Sequence, residues 1–172
     1  EKLHDSGFNN CISRVSLRPW NANWSEVAES LWLLGQHHNA QVLVNVYAYS
    51  WGGGWGFPRL AAELLKRDIM IQTAVLSDAV YRHPRAWMRW TSLLKRDAAL
   101  SPVIRVPRNV QSVYPLHQVQ NSPQGHRITA GPGFSAHINP SQSVAADHQY
   151  MDDAPAFHSR SLHAAAWLQA TN

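Results

Sequence analysis

The chain is 172 residues long and 45% hydrophobic, which is enough apolar material for one core and too little for two, so residues 1–172 are expected to form a single domain. No run of about 18 apolar residues occurs, so no transmembrane helix is expected. Lys and Arg outnumber Asp and Glu 15 to 11, for a net charge of +4, but the basic residues (Arg82, Arg85, Arg89, Lys95, Arg96, Arg105, Arg108) form no dense block, so a nucleic-acid partner is not expected.

Cys11 is the one cysteine and excludes an internal disulfide. With no basic, apolar and small-residue opening typical of a secretory signal, a cytoplasmic location is favoured. Ile12 to Leu17 alternates and reads as a strand that Pro19 stops. Asn23-Trp24-Ser25-Glu26 reads as a helix start; Val27, Ala28, Leu31 and Leu34 follow at helical spacing, and Gly35 or Asn39 ends it. Gln41 to Tyr47 is nearly continuous and β-branched, which suits a central parallel strand buried on both faces. After four glycines, Phe57 to Lys66 is helical, with Leu60, Ala61, Leu64 and Leu65 on its apolar face. Ile69 to Leu76 is a second buried strand, ending at Ser77-Asp78. His83 to Leu100 reads as a helix with Pro84 in its first turn. Val103 to Val106, or Val110 to Leu116, supplies a third strand. Gln120 to Ser143 reads as a long loop with short strands such as Arg127 to Ala130. Ala154 to Gln169 closes the chain as a helix, with Phe157, Leu162, Ala165 and Ala166 facing inward. Strand and helix alternate, which is the α/β pattern of a mostly parallel sheet flanked by helices.

The stretch Ala48-Tyr49-Ser50-Trp51-Gly52 has the small-x-Ser-x-small form of a nucleophile elbow. A sharp strand-to-helix turn would hold Ser50 in a strained conformation. Side chains two residues to either side must be small, and Gly53 and Gly54 ease the approach of helix to strand. The serine would then sit at a helix N-terminus, where the Trp51 N–H is placed to meet a developing oxyanion. Other readings of the glycines are a plain packing turn or a phosphate loop. The pattern Gly-x-x-x-x-Gly-Lys-Ser/Thr is absent, because no lysine follows. Ser50 and Asp78 both follow buried strands, at the sheet edge where sites gather in open parallel sheets. Asp78 also reads as an N-cap for a following turn. His37 and His38 are adjacent on a helix end and point apart, and no third ligand lies near, so neither metal nor cofactor is expected.

Tyr47-Ala48-Tyr49-Ser50-Trp51-Gly52-Gly53, Leu76-Ser77-Asp78-Ala79-Val80 and a late histidine together resemble the α/β-hydrolase superfamily, in particular its small bacterial lipase- or esterase-like members. In element order the resemblance runs from Ile12 to the end; its motifs are the elbow and the acid. It implies a compact α/β-hydrolase fold, N-terminally minimal because only one clear strand precedes the nucleophile strand. It implies the order serine, acid, histidine, with Ser50 as nucleophile, Asp78 as acid and His148, just before the last helix, as base. His126 and His137 remain candidates for the base, and Asp152 or Asp153 for the acid. A second oxyanion donor is implied in an upstream loop, where the Phe8 N–H is the candidate. Trp55 and Trp87 are candidates for an apolar substrate pocket. The activity implied is serine hydrolysis of carboxylic esters or related small acyl compounds through an acyl-enzyme. The alternatives are a catalytically inactive hydrolase-like binding or scaffold protein, and a basic domain associated with nucleic acid.

Overall fold

The computed structural model describes residues 16–17, 22–80, 103–121 and 123–170. The expected helix over 83–100, residues 12–15 of the first expected strand, Phe8, Cys11, His83, Trp87 and Trp90 lie outside them. Ser16 and Leu17, the described end of that strand, are exposed and in no strand.

Helix α1 spans Trp24–His38. The Asn23 side chain accepts a hydrogen bond from the Glu26 N–H at 3.2 Å, which satisfies one of the donors a helix leaves open in its first turn. Asn39 ends α1 in the left-handed region, with φ 47°, which asparagine tolerates. Strand β1 follows at Leu43–Tyr49, α2 at Phe57–Leu65 and β2 at Met70–Ser77. Then come β3 (Ile104–Val106), β4 (Val110–Gln118), β5 (Ile128–Ala130), β6 (His137–Ile138), β7 (Gln142–Val144) and α3 (Pro155–Ala170). Both stretches weighed for the third strand are therefore strands, in different sheets.

The main sheet runs in the order β1-β2-β4, with β6 and β7 beside β4. Every pairing in it is parallel. Strands β3 and β5 form a separate parallel pair. The fold is thus α/β, with parallel sheet flanked by helices. Its central strand is β2 rather than the expected β1. From Thr73 to Ser77 every residue of β2 is buried, because β2 has a strand on each side and helices over each face. Strand β1 is the outer strand among the described residues, and its Tyr47 is 40% exposed.

The two faces follow the period-two alternation of strands. Val44, Val46 and Ala48 turn to one side and pack in a cluster with Leu60, Ala61, Leu64 and Ala28 of the α2 and α1 layer. Tyr49, Val75 and Leu116 turn to the other and cluster with Met151 and Phe157. Phe57 and Leu64 are 2% and 0% exposed; each such side chain contributes about 1.5–3 kcal/mol through burial.

Helix α3 covers the second face, against β1, β2 and β4. Its inward residues differ from expectation. Leu162 is 71% exposed, and Ala165 and Ala166 are exposed, while Ala154 and Ala164 are buried. With Phe157 anchored in the core, a 3.6-residue period brings positions 161 and 164 to the sheet and turns 162 outward. The close fit shows at Ala164, whose carbonyl accepts from Asn45 Nδ2 at 3.1 Å.

Proline in an inner strand removes a ladder donor, and Pro115 lies within β4. The Val113 carbonyl accepts from Asn139 N at 2.9 Å, on the β6 side, so position 115, two residues on, faces that side too. There the neighbouring strand is interrupted between Ile138 and Gln142, so the missing donor falls at a gap in the ladder. No helix among the described residues is long and apolar enough to cross a membrane.

The register aligns the strand ends. Tyr49 pairs with Ser77, and Ser77 with Leu116. The carboxyl ends of β1, β2 and β4 therefore finish side by side, and three different loops leave from one edge.

Candidate active site

Ser50 directly follows β1 with φ 49°. An L-residue there costs about 1–2 kcal/mol and persists only where its surroundings hold it. Here the Ser50 carbonyl accepts from Val80 N at 2.9 Å. The chain then coils through a π-type turn, Gly52–Gly56, into α2. The helical run thus begins at the serine itself, ahead of the expected Phe57, and π-turns of this kind are frequent at functional sites. Packing is tight at Gly53: a Cβ there would lie 2.7 Å from Ala79 Cβ. Gly52 is less confined, since a Cβ on it would lie 4.0 Å from Ala48 Cβ.

Asp78 ends β2 in the same way, with φ 42°. Its N–H donates to the Leu116 carbonyl at 2.7 Å, and the residue is 0% exposed. Oδ1 accepts from Gly125 N at 2.7 Å and from Gln118 N at 3.3 Å. His117 Nδ1 stands 3.9 Å from the same oxygen. Oδ2 accepts from His148 Nδ1. Burial by itself raises the carboxyl; the His117 and His148 imidazoles and the Gly125 N–H outweigh it and bring it from 3.8 down to about 2. Asp78 is therefore ionised at neutral pH, and three hydrogen-bond donors meet its two oxygens.

His148 begins a short 3-10 turn, His148–Tyr150, between β7 and α3. Its side chain is 14% exposed. A carboxylate only accepts, so the proton on the ring sits at Nδ1, and Nε2 of the neutral ring is free to accept. Ser50 Oγ lies 2.8 Å from Nε2, and the hydroxyl donates there. Ser50, His148 and Asp78, the three residues implied by the resemblance, are joined in one hydrogen-bonded chain.

The other candidates fall elsewhere. Asp152 and Asp153 are exposed, and the ring nitrogen they would meet is taken by Asp78. His126 is buried, and its main-chain N–H donates to the Ala79 carbonyl at 2.7 Å. Burial lowers the His126 imidazole, with Asp78 opposing and His117 adding to the shift. His137 is exposed in β6, and His158 and His163 are exposed on α3. Trp51 follows Ser50, and its ring centroid is 6.2 Å from that of Trp55. The Arg59 guanidinium stacks on Trp55, 2.9 Å from the ring centroid. Phe8 and Trp87, the other oxyanion and pocket candidates, lie outside the described residues. His37 and His38 do not point apart: their rings meet edge to face, 4.9 Å between centroids. Among the described residues, no group of three or more His, Cys, Asp or Glu side chains is arranged to hold a metal ion.

Sequence reading missed the surroundings of Asp78. His117, Gln118, Asn121 and Gly125 come from the end of β4 and the turn after it. Extending β4 two residues past Leu116 would have placed His117 and Gln118 at the same sheet edge as Ser50 and Asp78. Gly125 is confined on several sides: a Cβ there would lie 2.7 Å from Asp78 Oδ1 and 3.0 Å from Asp78 Cα. Comparison with protein-family models, with curated proteins and with solved structures finds no match to this chain.

Proposed function

We propose that this chain is a serine hydrolase of α/β-hydrolase type, acting on carboxylic esters or related acyl compounds. The observation that carries the reading is the chain Ser50 Oγ, His148 Nε2, His148 Nδ1, Asp78 Oδ2, with the serine held at φ 49° on a strand-to-helix turn. A packing turn has no need of a hydroxyl aimed at an imidazole that is itself held by a buried carboxylate.

The steps follow from proton positions. His148 Nε2 takes the hydroxyl proton as Ser50 Oγ attacks the acyl carbonyl. The imidazolium that forms is stabilised by Asp78, which stays ionised. The oxyanion develops beside the start of the helical run, where the Trp51 N–H is the donor. The imidazolium then protonates the leaving alkoxide, and the acyl group remains on Ser50. Water enters, gives a proton to His148 and attacks the acyl-enzyme. The carboxylic acid leaves and Ser50 regains its proton.

The test is labelling with a fluorophosphonate, followed by intact mass and peptide mapping. One adduct on Ser50, absent in Ser50→Ala and His148→Ala, is the expected result. Asp78→Asn should slow labelling by about 10⁴-fold, as loss of the orienting acid does in serine hydrolases. A clean, folded parent that takes no label would sink the enzyme reading and favour a binding protein that keeps the elbow as a turn. A series of p-nitrophenyl esters of rising chain length then reads the acyl preference.

A further inference from the structure

The imidazole of His148 must meet two partners at once, so a small shift of its backbone breaks one contact or the other. That backbone is gripped by two side chains, one from the strand that leads into Ser50 and one from the turn after β4 that donates to Asp78. The Tyr49 hydroxyl, one residue before the nucleophile, donates to the His148 carbonyl at 2.6 Å. The carbonyl also accepts the weaker turn bond from Met151 N at 3.2 Å. On the other side, His148 N donates to Asn121 Oδ1 at 2.9 Å. Asn121 lies in the same turn as Gly125, which donates to the acid.

Asn121 is in turn fixed by buried Gln118. Gln118 Oε1 accepts from Asn121 N at 2.9 Å and from Gln120 N at 2.7 Å. Its Nε2 donates to the carbonyls of Asn121 at 2.7 Å and Pro123 at 2.9 Å. The Gln118 amide thus has all four of its hydrogen bonds inside one turn. A glutamine only 1% exposed and spent on a loop points to a loop whose shape matters.

We propose that Tyr49 and Asn121 are positioning residues that clamp the main chain of His148 and so hold its ring in line between Ser50 and Asp78. The kinetic consequence rests on the serine-hydrolase reading; the geometric one does not. Tyr49 is suited to the task because its phenol stays a donor. Burial, with the charges of Asp152 and Asp78 adding to it, pushes the phenol up to about 12. Its ring also lies beside the imidazole, 5.2 Å between centroids.

The variants are Tyr49→Phe, which removes one oxygen; Asn121→Ala, which removes the acceptor; and Asn121→Asp, which keeps it. Three quantities are measured: the rate of Ser50 labelling, kcat and KM on a p-nitrophenyl ester, and the low-field proton resonance of His148 Nδ1–H. Tyr49→Phe and Asn121→Ala should each slow labelling and kcat about tenfold with KM nearly unchanged, the effect expected of a slightly misplaced catalytic group. Asn121→Asp should recover most of the loss, and the low-field proton should broaden only in the first two. Labelling and kcat in Tyr49→Phe and Asn121→Ala within about twofold of the parent, with an unchanged low-field proton, would overturn the clamp and leave the hydrolase reading standing. If the parent itself takes no label, the hydrolase reading falls and the proton resonance alone decides. Broadening in both variants then supports the clamp, and persistence in both overturns it.

Discussion

Among the described residues, Ser50 and Asp78 carry the two non-glycine positive φ angles that do not end a helical segment: 49° and 42°. Asn39 and Asp68, the other two such residues, close the turns after α1 and α2. Strain of this kind is retained where the surroundings over-determine it. At Ser50 the carbonyl is fixed by Val80 N and the side chain by His148. The strain is open to test. At ordinary helix positions alanine is more stable than glycine by about 0.5–1 kcal/mol. At position 50 the order should reverse, with Ser50→Gly more stable than Ser50→Ala by about 1 kcal/mol. Both variants lose the hydroxyl, so urea unfolding of the pair isolates the backbone. Equal stabilities, or the usual order, would place no strain at the elbow.

Among the elements, one close approach is between the turn after Ser50 and the segment after β2. Sequence logic places the tight spots two residues either side of Ser50, at Ala48 and Gly52. A Cβ on Gly52 would make only ordinary contact with Ala48, whereas Gly53 is confined against Ala79. Two substitutions one residue apart should therefore differ in sign. Gly52→Ala fits and removes a glycine from a helical run, so stability should hold or rise by up to about 1 kcal/mol. Gly53→Ala presses on Ala79, which follows Asp78 directly, and should cost about 1–3 kcal/mol. It should also slow fluorophosphonate labelling, since Asp78 moves with Ala79. Denaturation midpoints and labelling rates of both proteins check this. Helix α3 teaches a similar lesson: Ala164 and not Leu162 meets the sheet, because the phase set by Phe157 outweighs side-chain size.

At the scale of the whole molecule, two buried titratable groups tie stability to pH in the same direction. The Asp78 carboxyl is held at about 2 in the fold, against 3.8 without it. Its contribution, about 2 kcal/mol from that difference, is complete above pH ~4 and is lost as the pH falls through about 2. His126 is lowered from 6.5 by burial. The unfolded chain therefore takes up that proton before the folded one does, and stability begins to decline below pH ~6.5. Urea midpoints followed from pH 8 to pH 2 should fall in two stages. In Asp78→Asn the lower stage should vanish while the upper one remains. A midpoint independent of pH over this range would contradict both assignments.

What the sequence determined by itself was local. The alternation of strand and helix, the parallel sheet it implies and the turn at Ser50 were all legible, because periodicity, glycine and small residues act within a few positions of one another. Ser50 and Asp78 could be placed at strand ends for the same reason. The tertiary structure decided the partners. Seven histidines follow Asp78, and nothing in their local sequence separates His148 from His126 or His137 except a resemblance in order. Ser50 and His148 are 98 positions apart, and Asp78 and His148 are 70 apart. Their meeting depends on the register that ends β1, β2 and β4 together and on the route of the chain from β7 to α3. The turn built by Gln118, with Asn121 and Gly125 on it, was invisible for the same reason. Its residues are ordinary loop residues until the fold brings Asp78 and His148 against them. A hydrogen bond is chosen by distance in space, which no spacing along the chain encodes.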